Sequence, residues 1–335
     1  MYYTLLKYIF SLFLLFLSLQ DGYSIPRKLL KDLKGKWKFS IGERDEWSRK
    51  DFDDSSWDEI KVPERWEEQG FHGYNGYAFY RKTICIPDDY EGHLFFLELG
   101  YIDDVDQVYF NGILIGSTGS FPPDYTTAYD AKREYYIPGN IISYDGHNVI
   151  AVKVFDNYKG GGIISGKPGL YVSKTPMFID IHLSGFWKFK ADDDPSFKDS
   201  KYNDNDWDEI LVPSEWENQG YKGYDGFGWY RKTFNLTKTI KDEKIVVLLG
   251  KIDDVDEAYL NGNLIGGTGD IEDSDDGDYW RSLRGYLVSK DLLNRRKNVI
   301  AVRVYDDSGD GGIYEGPVGI ISQKKYIEYW HKRRR

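Results

Sequence analysis

The chain has 335 residues, room for two domains of roughly 150 residues each. Hydrophobic residues make up 41% of it, enough for each half to bury a core. A formal net charge of −11 argues against a nucleic-acid partner, because phosphates would be repelled. The single cysteine, Cys85, excludes an intrachain disulfide framework or a zinc cluster.

The elements are taken in chain order. Lys7 precedes an apolar run over residues 8–19, and Gly22-Tyr23-Ser24 places small residues where a signal peptidase reads. This predicts a secretory signal over residues 1–24 and export to periplasm, surface or medium. The apolar run is short for a membrane span, so membrane contact is expected only if the segment stays uncleaved.

Trp37-Lys38-Phe39 opens the first strand region, and short helical turns are expected near residues 45–47 and 53–57. Residues 95–99, 106–110 and 149–155 are short runs rich in β-branched and aromatic residues, which read as strands. Cys85, inside Thr83-Ile84-Cys85-Ile86, reads as a buried strand thiol. Asn111-Gly112 is a hairpin signal, since both residues tolerate the positive φ of a type I′ turn.

A set of motifs recurs 150 residues later. Trp187-Lys188-Phe189, Tyr230-Arg231-Lys232-Thr233, Asp253-Asp254-Val255-Asp256, Asn261-Gly262 and Asn298-Val299-Ile300-Ala301-Val302 repeat their counterparts in the first half. A repeat of this length is duplication of a whole domain. The expected organisation is one domain over 30–174, a second over 180–323, and a basic aromatic tail over 324–335. The fold class is all-β: two tandem antiparallel β-sandwiches of the jelly-roll kind.

The ordered set of Trp-Lys-Phe, Val62-Pro63, Trp66, Tyr80-Arg81-Lys82-Thr83, Asp-Asp-Val-Asp, Asn-Gly and Asn-Val-Ile-Ala-Val resembles the N-terminal sugar-binding domain of family 2 glycoside hydrolases. That domain is a galactose-binding-like jelly roll, also found in some sialate esterases. The resemblance covers both copies. It implies carbohydrate as the partner and places the catalytic carboxylates in a separate barrel, for which this chain has no room. A non-catalytic, exported sugar-binding protein is the leading expectation. One rival is an accessory or truncated part of a hydrolase or esterase, docking to a catalytic subunit; the other is a structural surface protein.

The candidate ligand residues lie on two loops per copy. Trp66 leads to Tyr74, Asn75 and Tyr77, and Trp216 leads to Tyr224, Asp225 and then Trp229. Aromatic rings stack on a sugar's C–H face while Asn and Asp bind its hydroxyls; the other reading of Trp66 and Trp216 is that they plug the end of the sandwich. In the resembled family the loop after Asn-Val-Ile-Ala-Val borders the sugar site. Here it contributes Asp156 in copy one and Asp306, Asp307 and Glu315 in copy two, with glycines that let backbone approach a ligand. Asp306, Asp307 and Asp310 also form a candidate Ca²⁺ site; no other cofactor is expected. The repeated doublets Asp103-Asp104 and Asp253-Asp254, with Asp106, Asp256, Arg81 and Arg231, read as structural charge pairs.

Overall fold

The computed structural model describes residues 25–144, 146–236, 240–270 and 278–334. The expected signal segment, residues 1–24, lies outside them, as do residues 271–277 of an acidic run between Asp270 and Asp278.

The first half comprises β1 (Arg27–Asp32), β2 (Gly35–Ile41), β3 (Asp58–Val62), β4 (Gly76–Cys85), β5 (Phe95–Asp103), β6 (Val105–Phe110), β7 (Ile113–Thr118), β8 (Lys132–Ile137), β9 (His147–Asp156), β10 (Gly162–Ser165) and β11 (Gly169–Ser173). One antiparallel sheet runs β3-β2-β4-β9-β6-β7. The facing sheet runs β1-β11-β5-β10, with β8 also paired to β5. The second half follows as β12 (Ile181–His182), β13 (Gly185–Lys190), β14 (Asp208–Val212), β15 (Gly226–Phe234), β16 (Lys244–Asp253), β17 (Val255–Leu260), β18 (Asn263–Thr268), β19 (Leu283–Ser289), β20 (Asn298–Asp306) and β21 (Gly312–Ser322). Its long sheet, β14-β13-β15-β20-β17-β18, has the strand order of the first, and β12-β21-β16-β19 faces it. The chain is an all-β, antiparallel β-sandwich protein.

Packing follows from the sequence pattern. β9 and β20 sit mid-sheet and are buried along most of their length, as their apolar runs require. Trp37, Phe39, Tyr80, Leu97 and Val152 meet in one core, and Trp187, Phe189, Tyr230, Val247 and Val302 in the other. The indole at the centre of each core finds an acceptor: Trp37 donates to the Leu33 carbonyl at 2.7 Å and Trp187 to the Leu183 carbonyl at 2.8 Å. Asn111 and Gly112 take φ of 52° and 83°, which makes the tight turn between β6 and β7; Asn261 and Gly262 repeat it at 51° and 85°.

A third apolar cluster joins the halves. Phe96, Tyr136 and Met177 pack with Val246, Leu248, Ile321 and Tyr329. The strands that meet, β5 and β8 on one side and β16 and β21 on the other, belong to the short sheet of each half. Gly316 lies against the Tyr136 ring, where a Cβ would approach to 2.7 Å. Polar contacts close the rim: the Gly119 N–H donates to Asn218 Oδ1 at 2.9 Å, and Arg27 reaches Glu315 at 2.9 Å.

Three details differ from the sequence reading. The C-terminal tail is a helix, α1 (Gln323–Arg333). Tyr326, Tyr329 and Trp330 fall on one face by their three- and four-residue spacing, and they pack on the cluster between the halves. Cys85 is exposed, because strand alternation sends Ile84 and Ile86 inward and the thiol outward. Its sulfur lies 3.2 Å from His147 Nδ1. The structural charge pairs have other partners: Arg81 holds Asp54 at 2.7 Å, whereas Asp106 is held by Arg133 at 2.7 Å. Among the described residues, no helix is long and apolar enough to cross a membrane.

Candidate functional site

The two expected ligand loops do meet at one end of each sandwich, but their tryptophans face inward. Trp66, Trp216 and Trp229 are all fully buried. Trp66 donates to the Tyr74 carbonyl at 3.1 Å and packs on Phe39 and Tyr74. Trp216 repeats the packing against Phe189 and Tyr224. Trp229 sits under the opposite face of its sheet with Phe197, Trp207 and Tyr259. None offers a ring face to solution; Trp66 and Trp216 close the sandwich end.

The loop glycines follow from that plug. A Cβ on Gly161 would fall within the Trp66 ring, and one on Gly311 within the Trp216 ring. The close approach these glycines permit is to an indole of the same chain, which corrects the ligand-approach reading.

Tyr74 and Tyr224 are half-buried and donate to the carbonyls of Tyr77 and Phe227 at 2.7 and 2.8 Å, which fixes each loop on its strand. Asn75 and Asp225 are exposed at the loop tips. Glu315 is tied to Lys251 at 2.7 Å and to Arg27 at 2.9 Å, so it works in the contact between the halves.

Tyr77 stands at the centre of an aromatic platform in the first half. Its ring lies parallel to Phe121, with centroids 5.9 Å apart and planes 5° apart. Phe155, directly opposite Tyr77 across β4 and β9, has its centroid 4.8 Å away, and Tyr125 packs edge-on against Phe155. Lys153 places its ammonium 4.8 Å from the Tyr77 ring centre and 4.9 Å from that of Phe121, while pairing with Glu43. In the second half Phe227 and Tyr305 form the equivalent pair at 4.8 Å, with Arg303 4.4 Å above Phe227. Phe121, Tyr125, Phe155 and Lys153 were not candidates from sequence; strand register and the 121–125 loop bring them together.

Beside each platform lies an acidic triad. Asp103, Asp104 and Asp156 each place a carboxylate oxygen within 4.8 Å of the others, and Asp253, Asp254 and Asp306 do the same. The doublet ends β5 or β16, and the third aspartate ends β9 or β20. Asp156 and Asp306 are 0% exposed, and neither oxygen of either carboxylate accepts a well-formed hydrogen bond. Asp104 is better served: it accepts from Thr127 Oγ1 at 2.5 Å and from the Asn157 N–H at 2.9 Å.

The electrostatics follow. Two like charges 4 Å apart repel by about 4 kcal/mol at an effective dielectric near 20, so three ionised carboxylates without a cation are costly. Burial, then the charges of Asp103, Asp104 and Glu67, pushes Asp156 up to about 7. Burial, then Asp254, Glu217, Asp225 and Asp307, pushes Asp306 up to about 8. Burial and the adjacent Asp104 raise Asp103 to about 6, and burial with Asp254 raises Asp253 to about 8. Asp104 goes the other way: burial opposes ionisation, but hydrogen bonds from Thr127, Tyr125 and Asn157 hold it below its ordinary value.

The expected metal set is therefore corrected. Asp306 faces Asp253 and Asp254 rather than Asp307 and Asp310. Asp307 is exposed and accepts from Ser308, and Asp310 is exposed beside Glu215. The sequence signal was present in the doublets and in the aspartate closing the Asn-Val-Ile-Ala-Val strand, all repeated at the same spacing.

Residues 42–158 match the family described as the second all-β domain of β-galactosidase. Over those residues the first half is similar to that all-β domain. A putative β-glucuronidase from Formosa agariphila is 27% identical over 162 residues, covering 45% of this chain and 15% of that protein. A second β-glucuronidase from the same organism is 27% identical over 139 residues, covering 37% of this chain and 13% of its own. The crystal structure of Bacteroides uniformis β-glucuronidase shares 15% identity over 86% of this chain and 28% of that one, with a TM-score of 0.37. This chain thus spans 15% and 13% of the lengths of the two curated relatives.

Proposed function

We propose that the chain is an exported, non-catalytic carbohydrate-binding protein related to family 2 glycoside hydrolases, built from two galactose-binding-like jelly-roll copies. The observation that carries this is the platform of Tyr77, Phe121, Phe155 and Tyr125. Parallel and edge-on rings with an ammonium above them suit the apolar C–H face of a sugar ring. Asn75 and Asp124, exposed on the flanking loops, supply amide and carboxylate partners for hydroxyls. The Phe227–Tyr305 pair offers a smaller version in the second half, and two sites on one chain raise avidity through effective concentration.

The test is a glycan array probed with the full chain and with a Tyr77→Ala/Phe121→Ala variant. Binding lost in a variant that still melts cooperatively supports the reading. Binding retained by the variant removes the platform from the site, and an array silent to the parent rejects sugar binding.

A second reading, supported by the likeness to the two β-glucuronidases of Formosa agariphila, is an accessory part of a hydrolase that docks to a catalytic subunit. Co-purification of a glycoside hydrolase with the tagged chain from its source would support it.

A further inference from the structure

We propose that each acidic triad, Asp103–Asp104–Asp156 in the first half and Asp253–Asp254–Asp306 in the second, is a binding site for a divalent cation of the Ca²⁺ class. Three observations converge on this. The carboxylate oxygens of each triad lie within 4.8 Å of one another, close enough to share one ion. Asp156 and Asp306 are fully buried with both oxygens unpartnered, and buried carboxylates are otherwise paired or bound to metal. The same arrangement occurs at equivalent positions of both halves, on the same strand ends.

Two of the guanidinium groups near the triads, those of Arg133 and Arg284, are already engaged, and a third, Arg65, acts on Asp103 through its charge. Arg133 Nε is held by Asp106 and Arg284 Nε by Asp256, and their remaining nitrogens donate to backbone carbonyls of Ala128, Ala131, Asp104, Tyr279, Ser282 and Asp254. Neither arginine forms an ion pair with a triad carboxylate. Each triad offers oxygen donors alone, without His or Cys, and that donor set selects hard cations such as Ca²⁺ over Zn²⁺ or Cu²⁺. Asp104 retains acceptor capacity, because the hydrogen bonds from Thr127, Tyr125 and Asn157 leave part of its four lone-pair sites unused. The ion ties the turn after β5 to the end of β9, and the turn after β16 to the end of β20.

The site does not depend on the carbohydrate reading, and its test needs no sugar. The full chain is treated with chelator, desalted and titrated with CaCl₂ by calorimetry, with MgCl₂ in parallel. The expected result is two equivalents of bound Ca²⁺ and a rise in melting temperature. Asp156→Asn removes one equivalent and Asp306→Asn the other; the double variant binds none, yet melts in chelator at or above the temperature of the parent. If a buried variant fails to fold, Asp103→Asn and Asp253→Asn give the same losses from half-buried positions. No Ca²⁺ binding by the parent at millimolar concentration would overturn the proposal. So would unchanged stoichiometry in the double variant, or binding of Mg²⁺ without Ca²⁺.

Discussion

Arg133 donates from Nε to Asp106 Oδ1 at 2.7 Å with neither side chain exposed, and Arg284 holds Asp256 in the same way at 2.9 Å. Tyr135 and Tyr286 complete each pair, donating to the second carboxylate oxygen at 2.5 and 2.6 Å. Removing one member strands a buried charge, which typically costs about 3–5 kcal/mol. Asp106→Ala and Asp256→Ala are each expected to destabilise the protein by that order in urea denaturation. Arg133→Met paired with Asp106→Leu should recover much of the loss.

The tryptophan plugs predict a stability effect of similar size. Trp66→Ala removes a fully buried indole and leaves a cavity against Phe39 and Gly161, a change worth about 3–5 kcal/mol. Tyr77→Ala, half-buried at the platform, should cost far less. Thermal and urea melts of the two variants check this ordering; an equal loss would mean that Tyr77 is part of the core.

Without a bound cation, stability should fall as pH rises through neutrality. Asp156 and Asp306 have folded-state pKa values of about 7 and about 8, against about 3.9 for an unfolded aspartate. The folded state therefore binds more protons between these limits, and the stability this adds is complete below about pH 4 and lost above about pH 8. The groups facing Asp156 are Asp103, Asp104 and Glu67; those facing Asp306 include Asp254, Glu217, Asp225 and Asp307. Melting temperatures in chelator between pH 5 and 8.5 should decline, and Asp156→Asn/Asp306→Asn should flatten the decline.

The apolar contact between the halves predicts coupled unfolding. Phe96 is buried among Tyr136, Val246 and Ile321, with the Arg27 guanidinium 3.4 Å above its ring. Phe96→Ala should split a single calorimetric transition into two or broaden it. A variant that still melts as one sharp transition would locate the coupling elsewhere, in the polar rim or in α1.

Cys85 should react in the native state. Its exposure on β4 predicts one equivalent of thiol titrated by a water-soluble disulfide reagent without denaturant.

Much of the fold was legible in the chain. The repeats, the Asn-Gly turns and the alternating apolar runs are local signals, because strand period and turn conformation depend on neighbours in sequence. They sufficed for an all-β sandwich and for both hairpins. The direction of a side chain at a strand end was not legible. Trp66 and Trp216 carry the same residue pattern whether they plug a core or face a ligand, and only the glycines packed against them separate the two. Cys85 was misread for a related reason, since an apolar run does not declare which of its members sit on the outer face. The triads depended wholly on tertiary structure. Asp103 and Asp156 stand 53 residues apart in the chain, and only the closing of β10 onto β5 and of β9 beside β6 brings their carboxylates together. Once there, their proton affinities are set by burial and by one another, which are properties of distance in space rather than of order in sequence.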